Sequence, residues 1–299
     1  MKLVFFDDFR LGILTKRGVV PFPEGERRRA LRPPQDRMAD LIDGFPSLHN
    51  RLLRLQKGKA IPLSKVRLRA PLPRPSKLLC AVTNYLELGQ RPATDMDFFI
   101  KASSAVISPG DTIVLPRAQA TVFHHEAELA LVIGKMAREV PQSKAMDHVF
   151  GYTCLIDVSA RGMMPDGRLS FFLGKSWDTF APMGPALVTA DEVPDPHNLQ
   201  VRLWVDGQPR HDFNTSDMAH RIPELIEMAS SVTTLFPGDV IATGTNHQGL
   251  GAIQDGEEVT IEIERIGRMS VRVRDPLRRS WPKGLDTAFA QQVVRSARR

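Results

Sequence analysis

Apolar residues two positions apart dominate the second half of this chain. Leu199, Val201, Leu203 and Val205 alternate with other residues and run into Asp206-Gly207, a pair suited to a tight hairpin turn. Val259, Ile261 and Ile263 alternate in the same way, and the pattern predicts that they pair with Val271 and Val273 across Ile266-Gly267. Pro109-Gly110-Asp111 and Pro237-Gly238-Asp239 read as turns leading into apolar strands. A helical period shows in two places. Ile222, Leu225, Ile226 and Ala229 share one helix face, with Asp217 as an acid near the start. Leu41, Ile42, Phe45, Leu48, Leu52 and Leu53 form a second stripe within 38–55, which Pro46 is expected to break. Near the beginning, Val4-Phe5-Phe6 and 11–14 read as short strands. The fold class is therefore β-rich α+β with few helices.

Three prolines within 71–75 are the strongest linker signal. They divide a small N-terminal domain, 1–70, from a catalytic-sized body, 71–280. A C-terminal tail, 281–299, ends in a helix-like run and a basic terminus expected to fray. No apolar run approaches the roughly 20 residues of a membrane span. The opening Met1-Lys2-Leu3-Val4-Phe5-Phe6 meets Asp7-Asp8 at once, unlike a secretory signal. A cytoplasmic protein with no membrane partner is expected. Cys80 and Cys154 are the only two cysteines, too few for a disulfide framework or a cysteine zinc site. The net charge of +6 gathers towards the ends, in Arg27-Arg28-Arg29, 51–59, Arg278, Arg279, Arg295, Arg298 and Arg299. With no RNA-recognition, zinc-finger or basic-zipper pattern, this charge reads as solvated surface and no nucleic-acid partner is expected.

The sharpest chemical signal is Glu126-Ala127-Glu128 at the head of an apolar run. On a strand, residues two apart face the same side, so both carboxylates project together. On a core strand such a pair is costly without a cation, and oxygen ligands suit magnesium, manganese or calcium. A solvated sheet edge with two unengaged glutamates fits the same spacing. A second apolar strand over 149–156 ends at Asp157-Val158-Ser159-Ala160-Arg161, which reads as a site at a strand mouth or as a turn aspartate.

Five motifs follow one another along the chain. They are His125-Glu126-Ala127-Glu128-Leu129, Gly151-Tyr152-Thr153, Asp157-Val158-Ser159-Ala160-Arg161, the run from Lys175-Ser176-Trp177-Asp178 to Met183-Gly184-Pro185, and Pro237-Gly238-Asp239 running to Thr243-Gly244-Thr245. In this order they resemble the fumarylacetoacetate hydrolase family, over about 70–274. Arg74-Pro75-Ser76-Lys77, Asn84-Tyr85 and Phe99-Ile100-Lys101 fit its opening strand and the lysine beyond its lid. The resemblance implies a mixed β-sheet roll around a metal, with the N-terminal region fitting only loosely. It implies that Glu126, Glu128 and Asp157 bind Mg2+ or Mn2+, with Ca2+ also admissible. It makes Lys175 a catalytic lysine near the metal, supported by Asp178, and Tyr85, Arg161, Thr245 and Asn246 substrate-binding residues. Lys175→Met is expected to abolish turnover and leave folding largely intact. Family members are commonly homodimers. They act on small oxo acids, with the metal as a Lewis acid for a 2-oxo or β-diketo acid and for the enolate left when a bond breaks.

The chain departs from that pattern at the lid. Hydrolytic members carry a His with a Glu three residues on, soon after the Asn-Tyr pair; here Leu86-Glu87-Leu88-Gly89-Gln90 follows, with no histidine beside Glu87. Gly162-Met163-Met164 stands where a glutamine is common, and Asn246-His247-Gln248-Gly249-Leu250-Gly251 replaces the proline after Thr-Gly-Thr. His247 is therefore expected to be the general base, on a loop that Gly249 and Gly251 let approach the substrate. His124 shares the face of the two glutamates and His125 faces away. The expected function is a divalent-metal-dependent C–C hydrolase. The alternatives are a tautomerase or decarboxylase of the same fold, and a non-catalytic metabolite-binding relative.

Overall fold

The central element is the strand Ala127–Ile133, in which every residue is buried. The structure, a computed structural model, describes residues 1–23, 31–166 and 168–296; Arg27, Arg28, Arg29, Arg298 and Arg299 lie outside these. A strand covered on both faces reads as a continuous apolar run rather than an alternation, and 129–133 does so. It pairs antiparallel with Val149–Ile156 on one side and with Val240–Ala242 on the other. Beyond Val149–Ile156 come Ala181–Thr189, Lys2–Phe6, Arg10–Thr15 and Gly18–Pro21. Beyond Val240–Ala242 come Leu78–Ala81, in a parallel pairing, and Phe98–Ile100. A second sheet runs Gln208–Asn214, Gln200–Val205, Glu258–Ile263, Gly267–Arg274, Thr112–Val114. A short pair, Val122–His124 with Ser159–Arg161, flanks the strand mouth.

Residues 1–70 place their first strands in the large sheet. Lys2 pairs with Val188 and Leu3 with Leu187, and Met1, Leu3 and Phe5 share one core with Leu129 and Ile156. The proline-rich stretch 71–75 packs Pro71, Leu72 and Pro75 out of solvent. The N-terminal helical stripe splits into Pro34–Asp43 and Phe45–Leu55. The break falls at Gly44, not at Pro46. Pro46 sits in the first turn of the second helix, where a missing N–H is no loss.

The hairpin at Asp206-Gly207 forms with both residues in the left-handed region, φ 49° and 74°, as a type I′ turn requires. Val259 pairs with Val271 as expected, whereas Val273 meets Ile113 of a parallel neighbour. The helix Ile222–Val232 buries Ile222, Leu225, Ile226 and Ala229. Its N-terminal acid is Glu224, which accepts the Arg221 N–H at 3.0 Å. Asp217 belongs to the preceding turn and accepts from Leu88 N–H and the Asn246 amide instead. The chain closes with the helix Thr287–Ser296, whose first turn is capped by Asp286 accepting the Phe289 N–H at 3.0 Å.

One consequence concerns acid stability. The His211 ring is buried against His125 and Phe213, with ring centroids 5.1 and 5.7 Å apart. Burial pushes its pKa down to about 3, and burial holds His125 well below the usual range too. These imidazoles are neutral in the fold and free to protonate once unfolded. Their stabilisation is therefore present above the unfolded value of 6.5 and is lost as pH falls towards about 3. Each contributes a slope of up to about 1.4 kcal/mol per pH unit. The urea midpoint is expected to drop between pH 7 and pH 5, and His211→Phe to flatten that drop. Identical slopes for the two proteins would show that this ring is not held neutral.

Candidate metal centre

Where Ala127–Ile133 and Val149–Ile156 end side by side, the Asp157 N–H donates to the Glu126 carbonyl at 2.9 Å. That bond sets the aspartate beside the first glutamate. Glu126 and Glu128 project from the same face, and all three acids are buried. One carboxylate oxygen from each can be chosen so that all lie within 4.8 Å of one another. The Gly244 N–H donates to Glu128 at 2.9 Å, so the Thr243-Gly244-Thr245 turn is part of the centre.

Three cations face these acids. Lys175 Nζ lies 2.6 Å from Glu126 Oε2 and 2.6 Å from Asp157 Oδ2. Lys101 Nζ donates to Asp157 Oδ1 at 2.5 Å and to the Val158 carbonyl at 3.2 Å. Arg161 donates through Nη2 to Glu126 Oε1, which also accepts from Ser159 Oγ at 2.8 Å. The acids are served unequally. Burial alone would raise Glu126, but Lys175 and Arg161 outweigh it and hold its carboxyl well below the usual range. Glu128 has neither neighbour in contact. Burial, then the charges of Asp157 and Glu126, push it well above the usual range. For Lys175, burial is overcome by Asp157 and Glu126, and its pKa rises. A hard divalent cation fits this donor set: three buried carboxylates, no sulfur or imidazole among them, and one acid whose charge lacks a counter-charge.

A cavity of about 400 Å3 opens onto the centre, and Glu126, Glu128, Lys175, Arg161, Thr245 and His247 reach it. Thr245 Oγ1 is buried there with no hydrogen-bond partner among the described residues, as a group waiting for a ligand would be. The structure places three of the expected site residues away from the cavity lining. Asp178 is exposed and off the cavity, and Lys175 takes Glu126 and Asp157 as its acids, because the chain turns outward after Trp177. Tyr85 is wholly buried, edge-on to Phe213 at 5.0 Å, and is a core residue. Asn246 faces its own loop, accepting the Gln248 N–H at 2.9 Å and donating to Asp217 at 2.9 Å. The loop glycines also act elsewhere than expected. A Cβ on Gly249 would stand 2.5 Å from the His211 ring, and one on Gly251 would stand 2.2 Å from the Gly284 carbonyl. They press the loop onto its protein neighbours.

His247 is on the cavity wall, and it has the partner that its sequence neighbourhood lacks. Its Nδ1 lies 2.6 Å from Glu87 Oε1, and its backbone N–H donates to Glu87 Oε2 at 2.8 Å. Glu87 is fully buried, in a loop where Thr83, Glu87 and Leu88 all have left-handed backbones, φ 46°, 56° and 58°. Asp217 holds that loop through the Leu88 N–H and its own carbonyl to Leu86. No imidazole stands near Glu87 in the sequence, and the two residues are 160 positions apart. Lys101, after three apolar neighbours, carries only a weak signal along the chain. The C-terminal helix, expected as a tail, gives Phe289, Gln292 and Val293 to the cavity lining. His124 is fastened to that helix, with Nε2 3.1 Å from Asp286 Oδ2.

The family described as fumarylacetoacetate (FAA) hydrolase C-terminal matches residues 77–274. Maleylpyruvate hydrolase of Aquipseudomonas alcaligenes is 37% identical over 292 residues, covering 92% of this chain and 99% of that protein. The mitochondrial oxaloacetate tautomerase FAHD2A of Bos taurus is 40% identical over 219 residues, 69% of each. The crystal structure of maleylpyruvate hydrolase from Sphingobium sp. SYK-6 with manganese(II) and pyruvate superposes with a TM-score of 0.81 at 38% identity, over 92% of this chain and 99% of that one.

The charge balance corrects the expectation for Lys175→Met. Removing one partner of a buried ion pair typically destabilises by about 3–5 kcal/mol, and Lys175 serves two acids. Lys175→Met is expected to lower the melting temperature of the metal-free protein clearly. Added Mn2+ should then raise it by more than it raises the unmutated protein. Unchanged melting in both states would remove Lys175 from the centre.

Proposed function

The chain belongs to the fumarylacetoacetate hydrolase family, and from that premise we propose that it hydrolyses a C–C bond in a 2-oxo or β-diketo acid, with His247 as general base and Glu87 as the group that positions it. The observation that carries this reading is the buried His247–Glu87 pair on the wall of the carboxylate cavity. With Nδ1–H given to the carboxylate, Nε2 is left as the proton acceptor. The whole-length match to a maleylpyruvate hydrolase supports hydrolysis.

A divalent cation at Glu126, Glu128 and Asp157, magnesium or manganese, would supply Lewis acidity towards the substrate carboxylate and its adjacent oxo oxygen. The protein's own charges prepare for that substrate. Lys101, Lys175 and Arg161 equal the three acids in charge, although they contact Asp157 and Glu126 and leave Glu128 without an ion pair among the described residues, so a divalent ion would leave two positive charges in excess. A substrate carboxylate, together with the negative charge that grows on its oxo oxygen as the bond breaks, cancels that excess. His247 Nε2 takes a proton from water, whose oxygen adds to the distal carbonyl carbon. The C–C bond then breaks, its electron pair stays with the carbon next to the oxo group, and the imidazolium returns the proton there. Glu87 stabilises the imidazolium between those two steps. Thr245 Oγ1 is the free group that orients the substrate.

A screen of 2-oxo and β-diketo acids with Mg2+ or Mn2+, followed by loss of enol absorbance and by product analysis, identifies the substrate. His247→Gln and Glu87→Gln should each lower kcat by about 10²–10⁴ with Mn2+ affinity kept, and His247→Gln should remove the limb of the rate–pH profile that reports the base. An unchanged profile, or a tautomer as the sole product, would overturn the hydrolase reading.

We also propose that the protein works as a cytoplasmic homodimer. Both cysteines are free and buried, which fits a reducing compartment. Leu169 and Phe172 are large apolar residues left mostly exposed beside the cavity, surface that a second copy would cover. Light scattering is expected to give about twice the chain mass of 33.4 kDa; a monomer at micromolar concentration would count against it.

A further inference from the structure

The helix Thr287–Ser296 lies beyond the residues that match the family, yet it forms part of the cavity wall. Phe289, Gln292, Val293 and Ser296 line the cavity, and their spacing of three, four and seven is that of a single helix face. The first turn is fastened to the charged centre. Asp286 caps the helix and meets His124, while the Phe289 ring lies 4.5 Å from the Arg161 guanidinium, which itself pairs with Glu126. The later turns extend past that anchor. Val293 is buried against the wall, and Gln292 is exposed to the cavity. Among the described residues nothing hydrogen-bonds the Gln292 carboxamide, which is exposed at the cavity.

We propose that this helix face is the specificity wall of the pocket: Phe289 and Val293 limit the length of the substrate chain, and Gln292 hydrogen-bonds a polar group at the end remote from the metal. This rests on the oxo-acid reading above. An acid whose carboxylate and oxo group lie at the carboxylate centre extends into the remaining cavity, of which this helix face forms one wall and the segment from Arg168 to Phe171 another. A carboxamide offers both a donor and an acceptor to a polar end and nothing to a methyl.

The test is binding to the Mn2+-loaded protein, followed by titration calorimetry with pyruvate, 2-oxohexanoate and 2-oxoadipate. Pyruvate has no chain beyond the methyl next to its oxo group and serves as the control. The two six-carbon acids differ only in having a methyl or a carboxylate at the far end. The unmutated protein should bind 2-oxoadipate more tightly than 2-oxohexanoate. Gln292→Leu should weaken 2-oxoadipate by about tenfold and leave pyruvate unchanged. Val293→Phe should weaken both six-carbon acids and spare pyruvate. If the six-carbon acids follow pyruvate in both variants, the helix is not the specificity wall and the inference fails while the oxo-acid reading stands. If pyruvate does not bind the unmutated Mn2+-loaded protein, the oxo-acid reading fails and this inference with it.

Discussion

Three carboxylates held out of water at one strand mouth are the constraint on which the rest of the structure depends. Their mutual repulsion in a poorly polarisable interior would drive the acids apart or protonate them. Lys101, Lys175 and Arg161 answer that repulsion, each from a different part of the chain. Lys101 follows the edge strand Phe98–Ile100, Lys175 ends a short helix, and Arg161 lies in the strand paired with Val122–His124. The mixed sheet is what brings these parts together.

The same constraint explains why Glu128 stands apart. Among the described residues its carboxylate accepts one hydrogen bond, from a backbone N–H, and the nearby acids raise its pKa rather than lower it. A site balanced for its own side chains would not leave one member so. A site balanced for an additional cation would, because that cation completes the set and draws in an anionic substrate.

The His247–Glu87 pair, proposed above as the proton-transfer pair, is built by a different device. His247 and Glu87 come from two loops, each held in place by features that have no chemistry of their own. Gly249 and Gly251 let one loop press against His211 and Gly284. Asp217 grips the other, and through Asn246 it grips the first as well. The left-handed backbones at Thr83, Glu87 and Leu88 are unfavourable for side-chain-bearing residues, and they persist because the surroundings over-determine them.

The sequence by itself determined the local elements: the alternating strands, the Asp206-Gly207 hairpin, the helix of Ile222–Val232, and the two glutamates on one face. These follow from periods of two and 3.6 and from turn chemistry, which act over a few residues. The motifs around Glu126, Asp157 and Lys175 were legible for the same reason, each being a short run with its own strand or helix end. What only the tertiary structure decided is which distant residues meet. Glu87 found its imidazole 160 positions away, Lys175 took Glu126 and Asp157 rather than Asp178, Tyr85 turned into the core, and the terminal helix became a pocket wall. Buried ion pairs and packed rings are chosen by distance in space, and no spacing along the chain encodes that distance.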